Sequence, residues 1–277
     1  MITGKTMLIA HLGYPTEAFK APMIYNPWFA KSGVDAVVVP MGVQTADYPG
    51  VLASLARITN LRGALVTMPH KLATLALVAE ASPAAQIAGA CNALLKRADG
   101  SWLGDQFDGT GFVRGVERKG RSIAGIRALV AGAGGVGSAI AASLAAAGAR
   151  ELMLFDLRPA AATALRERLL RHYPQLVVAT GSNDPAGFDL VVNATPLGMQ
   201  PGDPLPFDVE RISPKAFVGE VVMASEITPL LRAARERGCA IQPGTDMLFE
   251  MIPAYLEFFG FASATPEQLR AVAQIRY

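Results

Sequence analysis

ALVAGAGGVGSAIAASL, residues 128–144, changes character in its middle. Ala128 to Ala131 form an apolar run of strand length, Gly132, Gly134 and Gly137 then complete a G-x-G-x-x-G, and small and apolar residues continue with helical spacing from Ser138. A strand, a glycine turn and a helix in that order give the pattern a physical meaning. Gly132 permits the tight turn, Gly134 lets the backbone approach a pyrophosphate, and Gly137 lets helix and strand pack closely. Backbone N–H groups and the helix dipole then hold the anion. Gly132, Ala133, Gly134, Gly135, Val136 and Gly137 are therefore the expected cradle of a dinucleotide.

The next apolar run ends in FDLRP and places Asp156 nineteen positions after Gly137. A carboxylate there accepts hydrogen bonds from the ribose hydroxyls of NAD and repels the extra phosphate of NADP. Arg158 is suited to that phosphate or to lying over adenine, so NAD is the expected cofactor with NADP possible. Other readings of the same residues stay open. The turn occurs in nucleotide-free α/β domains, methyltransferases that bind S-adenosylmethionine use a similar loop and acid, and Asp156 is also suited to cap a helix.

Working outward, the second half has further strands at 151–156, 176–180, 189–195, 217–222 and 239–244. The first half has strands at 6–13, 35–42 and 63–69, with helical patterns in PMIYNPWFAKSG and YPGVLASLARI. CNALLKRADGSWLGDQ, two apolar runs around Ala-Asp-Gly, reads as a hairpin, and GTGFVRGVERKG as the helix that follows it. Alternating strands and helices predict an α/β protein of two domains with mainly parallel sheets. The boundary is set near 119–126, giving a first domain at 1–120, a dinucleotide-binding domain at 121–244, and final helices at about 245–277, one of which crosses back to the first domain.

The totals exclude several classes. At 277 residues two domains are the better expectation. No apolar stretch reaches the roughly 18 residues of a membrane helix, although mean hydropathy is +0.31. A net charge of +2 with no arginine-rich stripe argues against nucleic acid, and ERKGRS at 117–122 reads as a solvated loop. Two cysteines and three scattered histidines offer neither a disulfide scaffold nor a metal site. The opening MITGKTMLIAH lacks the marks of a secretory signal, so a cytoplasmic location is expected.

ALVTMPHKLA, residues 64–73, raises a separate question, because an apolar strand runs into Pro69 and then delivers Lys71. Such a lysine is either a solvated helix start or a group aimed into a cleft.

With these pieces assembled, the chain resembles the shikimate dehydrogenase family from about residue 9 to about residue 260. Val66-Thr67-Met68-Pro69-His70-Lys71 looks like the family's V-T-x-P-x-K, whose lysine is catalytic. Gly89-Ala90-Cys91-Asn92-Ala93 is similar to its G-A-x-N-T, which implies a substrate-binding Asn92. Gly104 to Gly109 matches the block that carries the catalytic aspartate, here Asp108. The glycine loop follows, and then Asn193-Ala194-Thr195-Pro196-Leu197-Gly198-Met199, whose backbone lies beside the cofactor in the family. Thr228-Pro229-Leu230-Leu231 and Gly244 with Met247-Leu248 complete the series.

The resemblance implies an amino-terminal substrate domain, a carboxyl-terminal Rossmann domain, and hydride transfer between a ring hydroxyl and NAD(P). Lys71 and Asp108 form the acid/base pair. A free ammonium has a pKa of about 10.4, too high for a base at neutral pH unless desolvation lowers it. The carboxylate opposes that lowering, yet it orients the lysine or receives the proton itself. Thr67 and Asn92 position substrate, and Asn193, Thr195, Pro196, Met199, Val222, Met223 and Gly244 border the cofactor. The cleft between the domains is the expected site.

The departures lie at the recognition end. Where the family holds a carboxylate with two serines in S-x-S-P, this chain has Phe19-Lys20-Ala21-Pro22. Phe107 stands for a threonine, Met223 for a tyrosine and Met251 for a glutamine, so Phe19, Ala21, Phe107 and Met251 make the substrate lining apolar. Two hydrogen bonds lost from a carboxylate cost about 3–6 kcal/mol, on the order of 10²–10⁴ in specificity. The expected partner is therefore a small cyclic hydroxy compound other than shikimate, bound by a monomer or homodimer. Two rivals remain: an ordinary shikimate or quinate dehydrogenase whose carboxylate is held by Lys20 or another group, and an NAD-binding sensor without turnover.

Overall fold

Runs of β-branched and apolar residues build six strands in the first half of the chain. They are β1 (Met7–Gly13), β2 (Ala36–Gly42), β3 (Leu61–Val66), β4 (Glu80–Ala81), β5 (Ala93–Lys96) and β6 (Trp102–Asp105). The computed structural model, which describes residues 2–276, orders them β2-β1-β3-β5-β6-β4. β1 lies parallel to both β2 and β3, while β5 is antiparallel to β3 and β6. The reversal follows from the hairpin turn, where Arg97 and Ser101 close the loop and Gly100 takes φ +83°.

Four helices belong to this stretch, α1 (Pro22–Ser32), α2 (Tyr48–Leu55), α3 (Lys71–Thr74) and α4 (Pro83–Ala88). One face of the sheet is an apolar cluster that includes Ala10, Leu12, Tyr48, Leu52, Val66, Leu94 and Trp102.

The second half holds α5 (Asp108–Arg118), α6 (Gly135–Ala146), α7 (Pro159–His172), α8 (Pro229–Glu236), α9 (Gly244–Phe258) and α10 (Pro266–Arg270). Its strands are β7 (Arg127–Ala131), β8 (Glu151–Phe155), β9 (Val177–Thr180), β10 (Leu190–Asn193), β11 (Phe217–Glu220) and β12 (Ala240–Gln242). All pair in parallel, in the order β12-β11-β10-β7-β8-β9. This doubly wound order places the glycine loop after β7 and the Asn193–Met199 turn after β10. They flank the point where strand order reverses, the usual place for a dinucleotide.

The chain divides into two units: residues up to Gln86 with Ala90–Phe107 and Ile252–Arg276, and Ile87–Gly89 with Asp108–Met251. Helix α5 falls in the second unit, upstream of the 119–126 segment where composition changes. Its Phe112 is fully buried against β11, where a Cβ added to Gly219 would lie 2.6 Å from the ring. The basic residues at and after its end are engaged rather than merely solvated. Arg118 pairs with the buried Glu250, Lys119 with Asp246 at 2.7 Å, and Arg121 donates to the Lys215 carbonyl.

Several strands end earlier than the sequence predicts: β3 stops at Val66, β10 at Asn193 and β11 at Glu220. In each case the backbone turns into a loop that carries polar groups. No helix among the described residues is long and apolar enough to cross a membrane.

Replacing Phe112 with alanine removes the side chain that joins α5 to the second sheet. The expected cost is about 3–5 kcal/mol, read as a lowered melting temperature in calorimetry; an unchanged melting temperature would contradict this packing role.

Candidate active site

Lys71 is the first residue of the short helix α3. A one-turn helix has little stability of its own, and five contacts hold it. His70 Nε2 donates to the Val43 carbonyl at 2.9 Å, and the His70 ring stacks on Tyr48 with centroids 4.0 Å apart. The Thr74 hydroxyl donates to the His70 carbonyl, leaving it to accept from the Tyr48 hydroxyl at 2.7 Å. The Lys71 carbonyl accepts the Cys91 N–H at 2.9 Å, which ties the lysine to the Gly89–Asn92 segment.

Asn92 is 1% exposed and almost fully committed. Its N–H donates to Asp105, its carbonyl accepts from Val66 N–H at 2.8 Å and the Tyr255 hydroxyl at 3.1 Å, and Oδ1 accepts the Phe107 N–H at 2.9 Å. Only Nδ2 is sealed without a partner. A buried unpaired donor costs about 1–3 kcal/mol. Phe107 sits beside it, edge-on to Tyr255 and Phe258 at 4.9 and 5.5 Å.

On β1, a Cβ added to Gly13 would run into Thr67 and Phe19, at 2.4 and 2.8 Å. Phe19 stacks on His11 with centroids 4.1 Å apart. Burial first, and then the charge of Lys71, lower the His11 pKa to about 3. Ala21 is buried at the start of α1, and the Lys20 ammonium donates to the Arg276 carbonyl. The first unit thus gathers His11, Phe19, Thr67 and Lys71 in one neighbourhood, and Asn92 and Phe107 in another.

In the second unit, Gly132 has φ +100°, a conformation that favours glycine. A Cβ on Gly137 would lie 1.8 Å from the Gly132 carbonyl oxygen, whereas one on Gly134 would meet nothing. No side chain caps α6 at Gly134. An open backbone before an uncapped helix start fits a pyrophosphate.

Asp156 Oδ2 accepts the Ala133 N–H and Oδ1 accepts the Arg158 N–H, both at 2.8 Å. The carboxylate therefore orients the glycine loop and does not cap α7, whose first-turn cap residue is Arg158. The Arg158 side chain is 73% exposed and lies 3.5 Å from Asp156.

The turn after β10 is organised by Asn193. Its Oδ1 accepts from the Thr195 N–H and hydroxyl at 3.1 and 2.7 Å, and its Nδ2 donates to the Leu197 carbonyl at 3.0 Å. Asn193 and Thr195 therefore shape the loop, while Pro196 and Met199 are exposed. Val222 is buried, Met223 half-buried, and Gly244 is pressed against the Val222 carbonyl, where a Cβ would lie 2.5 Å away. Asp108, 2% exposed, opens α5, and Met251 lies against Gly111 of the same helix.

Residues 12–94 match the family model for the shikimate dehydrogenase substrate binding domain. A shikimate dehydrogenase (NADP(+)) from Rubrobacter xylanophilus is 41% identical over 251 residues, 89% of this chain and 88% of that protein. The chain belongs to the shikimate dehydrogenase family. A quinate/shikimate dehydrogenase from Escherichia coli is 31% identical, over 89% of each chain. Among solved structures, shikimate 5-dehydrogenase from Listeria monocytogenes, in complex with shikimate and NAD, has a TM-score of 0.88 and 28% identity. It covers 98% of this chain and 97% of its own. The protein is thus an NAD(P)-dependent oxidoreductase of a family whose members have two domains, one of them a Rossmann domain.

Two residues of this shikimate dehydrogenase family member escaped the sequence reading. His11 sits in an apolar strand, and its nearness to Phe19 and Lys71 depends on β1 pairing with β3. Glu220 ends β11 as an acid after an apolar run, the one local signal it offers. It is fully buried, accepts weakly from Asn193 Nδ2 at 3.5 Å, and its Oε1 has no partner. Burial outweighs the opposing polar influence of Thr228 and Asn193 and raises its pKa from 4.5 to about 7.

The folded state therefore favours the neutral carboxyl. That preference stabilises fully below pH 4.5 and is lost as pH rises through about 7. Glu220→Gln should become progressively more stable than wild type as pH rises through that window, by up to about 3 kcal/mol. Denaturant unfolding across the pH series measures it; a gap independent of pH would contradict a titrating Glu220.

Proposed function

We propose that this protein transfers a hydride between a ring secondary alcohol and NAD(P), with NAD preferred, and that shikimate is not its physiological substrate. The observation that carries the reading is the combination of retained reacting groups with an apolar recognition end. Lys71 and the unpaired Asn92 Nδ2 are present, while Phe19 and the buried Ala21 stand where the family has its carboxylate-binding serines.

Oxidation removes a hydride from the carbinol carbon and a proton from its oxygen, and a bound nicotinamide supplies the hydride acceptor. Lys71 and Asp108 deal with the proton, the carboxylate orienting the ammonium or receiving the proton in turn. Asn92 Nδ2 donates to a substrate hydroxyl, and Thr67 fixes the ring beside it. Phe19, Ala21 and Phe107 offer no charge to a carboxylate.

The cofactor preference rests on Asp156. Its negative charge next to the glycine loop favours ribose hydroxyls over a 2′-phosphate. Arg158, already beside Asp156, gives the chain a route to NADP, the cofactor in the name of the Rubrobacter relative.

The names of the relatives favour a second reading, in which shikimate or quinate is the substrate. Its carboxylate would need a cation, and the nearby candidate, Lys20, already donates to the Arg276 carbonyl.

Restoring both hydroxyls in Phe19→Ser/Ala21→Ser should raise kcat/KM on shikimate by on the order of 10²–10⁴. Wild-type turnover of shikimate equal to that of the double variant would overturn the substrate reading. Asp156→Asn keeps an acceptor for the Ala133 N–H but removes the charge. The ratio of NADP to NAD activity should rise at least about tenfold, which corresponds to about 1.4 kcal/mol; an unchanged ratio would contradict the role given to Asp156.

A further inference from the structure

We propose that His11 is a specificity-determining residue of the alcohol site, contacting an uncharged oxygen substituent of the substrate through its imidazole. The inference rests on the substrate reading above and deepens it by naming the group that replaces the lost serines.

Side chains alternate along β1. Ala10 and Leu12 belong to the apolar cluster with Leu52 and Trp102, so His11 and Gly13 face the other way. On that other face the position of Gly13 is closed in by Thr67 and Phe19, and the His11 ring lies on Phe19 at 4.1 Å. Lys71 is near enough for its charge to act on the imidazole. His11 is therefore a neighbour of the side chain that replaces a carboxylate-binding serine and is within reach of the charge of the reacting-end lysine.

The ring is neutral throughout the physiological range, because burial and Lys71 both disfavour the cation. A neutral imidazole has one N–H and one lone pair. Nδ1 is sealed with no partner, and an unmet acceptor is the milder of the two faults, which assigns the proton to Nε2. Nε2–H is then the donor that a substrate reaches.

Such a group pairs well with a hydroxyl, ester or ketone oxygen. It gives a carboxylate no opposite charge to offset loss of water, and burying an uncompensated anion is far costlier than burying a neutral oxygen. With Phe19 and Ala21 contributing no polar atoms, the wall selects a ring alcohol whose remaining substituents are uncharged.

The test compares shikimate with its methyl ester, an uncharged probe of the same ring, in wild type and in His11→Leu, His11→Asn and His11→Gln. Gln carries an amide N–H to the neighbourhood of Nε2; Asn reaches only that of Nδ1. Wild type should prefer the ester. Leu and Asn should raise KM for the ester about tenfold with kcat nearly unchanged, and Gln should restore most of the loss. NADH affinity and melting temperature serve as controls that a space-filling role alone would move. If Leu does not fold, the Asn and Gln pair carries the comparison.

If neither probe is turned over, binding of both to the NADH complex, read by nicotinamide fluorescence, supplies the same comparison. Wild-type preference for the acid overturns the substrate reading and this inference with it. Preference for the ester, with Leu and Asn matching wild type on it, overturns the inference alone.

Discussion

Asn92 is the joint on which the substrate half depends. Its backbone N–H and carbonyl connect the end of β6 to the end of β3, its carbonyl also receives the Tyr255 hydroxyl, and its Oδ1 holds the Phe107 N–H. Four bonds from one residue fix a strand end, a helix and the segment leading to Asp108. All other polar atoms of the residue are committed, and Nδ2 is the one left for the substrate hydroxyl proposed above. The cost of leaving that donor buried is the kind of local penalty a fold tolerates where a ligand later satisfies it.

The cofactor half is organised by the same economy of polar groups. Asp156 and Asn193 each spend their side chains on backbone N–H or carbonyl groups of the loops they support. They act by holding the loop backbone in place, and the loop backbone, open at Gly134, faces outward without a side chain in the way. Glu220 lies behind the Asn193 turn, with the Thr228 hydroxyl on its other side. Protonated, it fits this buried niche; ionised, it leaves Oε1 charged and unpaired away from water.

Local features were legible in the sequence. The glycine loop and its flanking strand and helix could be read because their meaning lies within seventeen consecutive residues. The hairpin between β5 and β6 was announced by Ala-Asp-Gly between two apolar runs. Strand ends were less legible: Met68, Val221 and Val222 continue an apolar pattern after the ladder has stopped, since burial and pairing are different constraints. The two-residue β4 has no pattern of its own and exists through its pairing with β6. His11 and Glu220 were hidden for a further reason. Their environments are assembled from residues far apart in the chain, and a lone histidine or acid among apolar neighbours carries no sign of what will face it. The Phe19 and Ala21 departures were visible only against the family pattern, because two apolar residues before a proline are unremarkable in themselves.

The central claim is that a dehydrogenase scaffold has kept its reacting groups and given up its carboxylate site. Its most direct test is NAD reduction by the wild-type protein, with shikimate and methyl shikimate measured side by side under identical conditions. The account predicts a higher kcat/KM for the uncharged ester. A clear preference for the acid would contradict it and would mean that the pocket holds a carboxylate without the two serines.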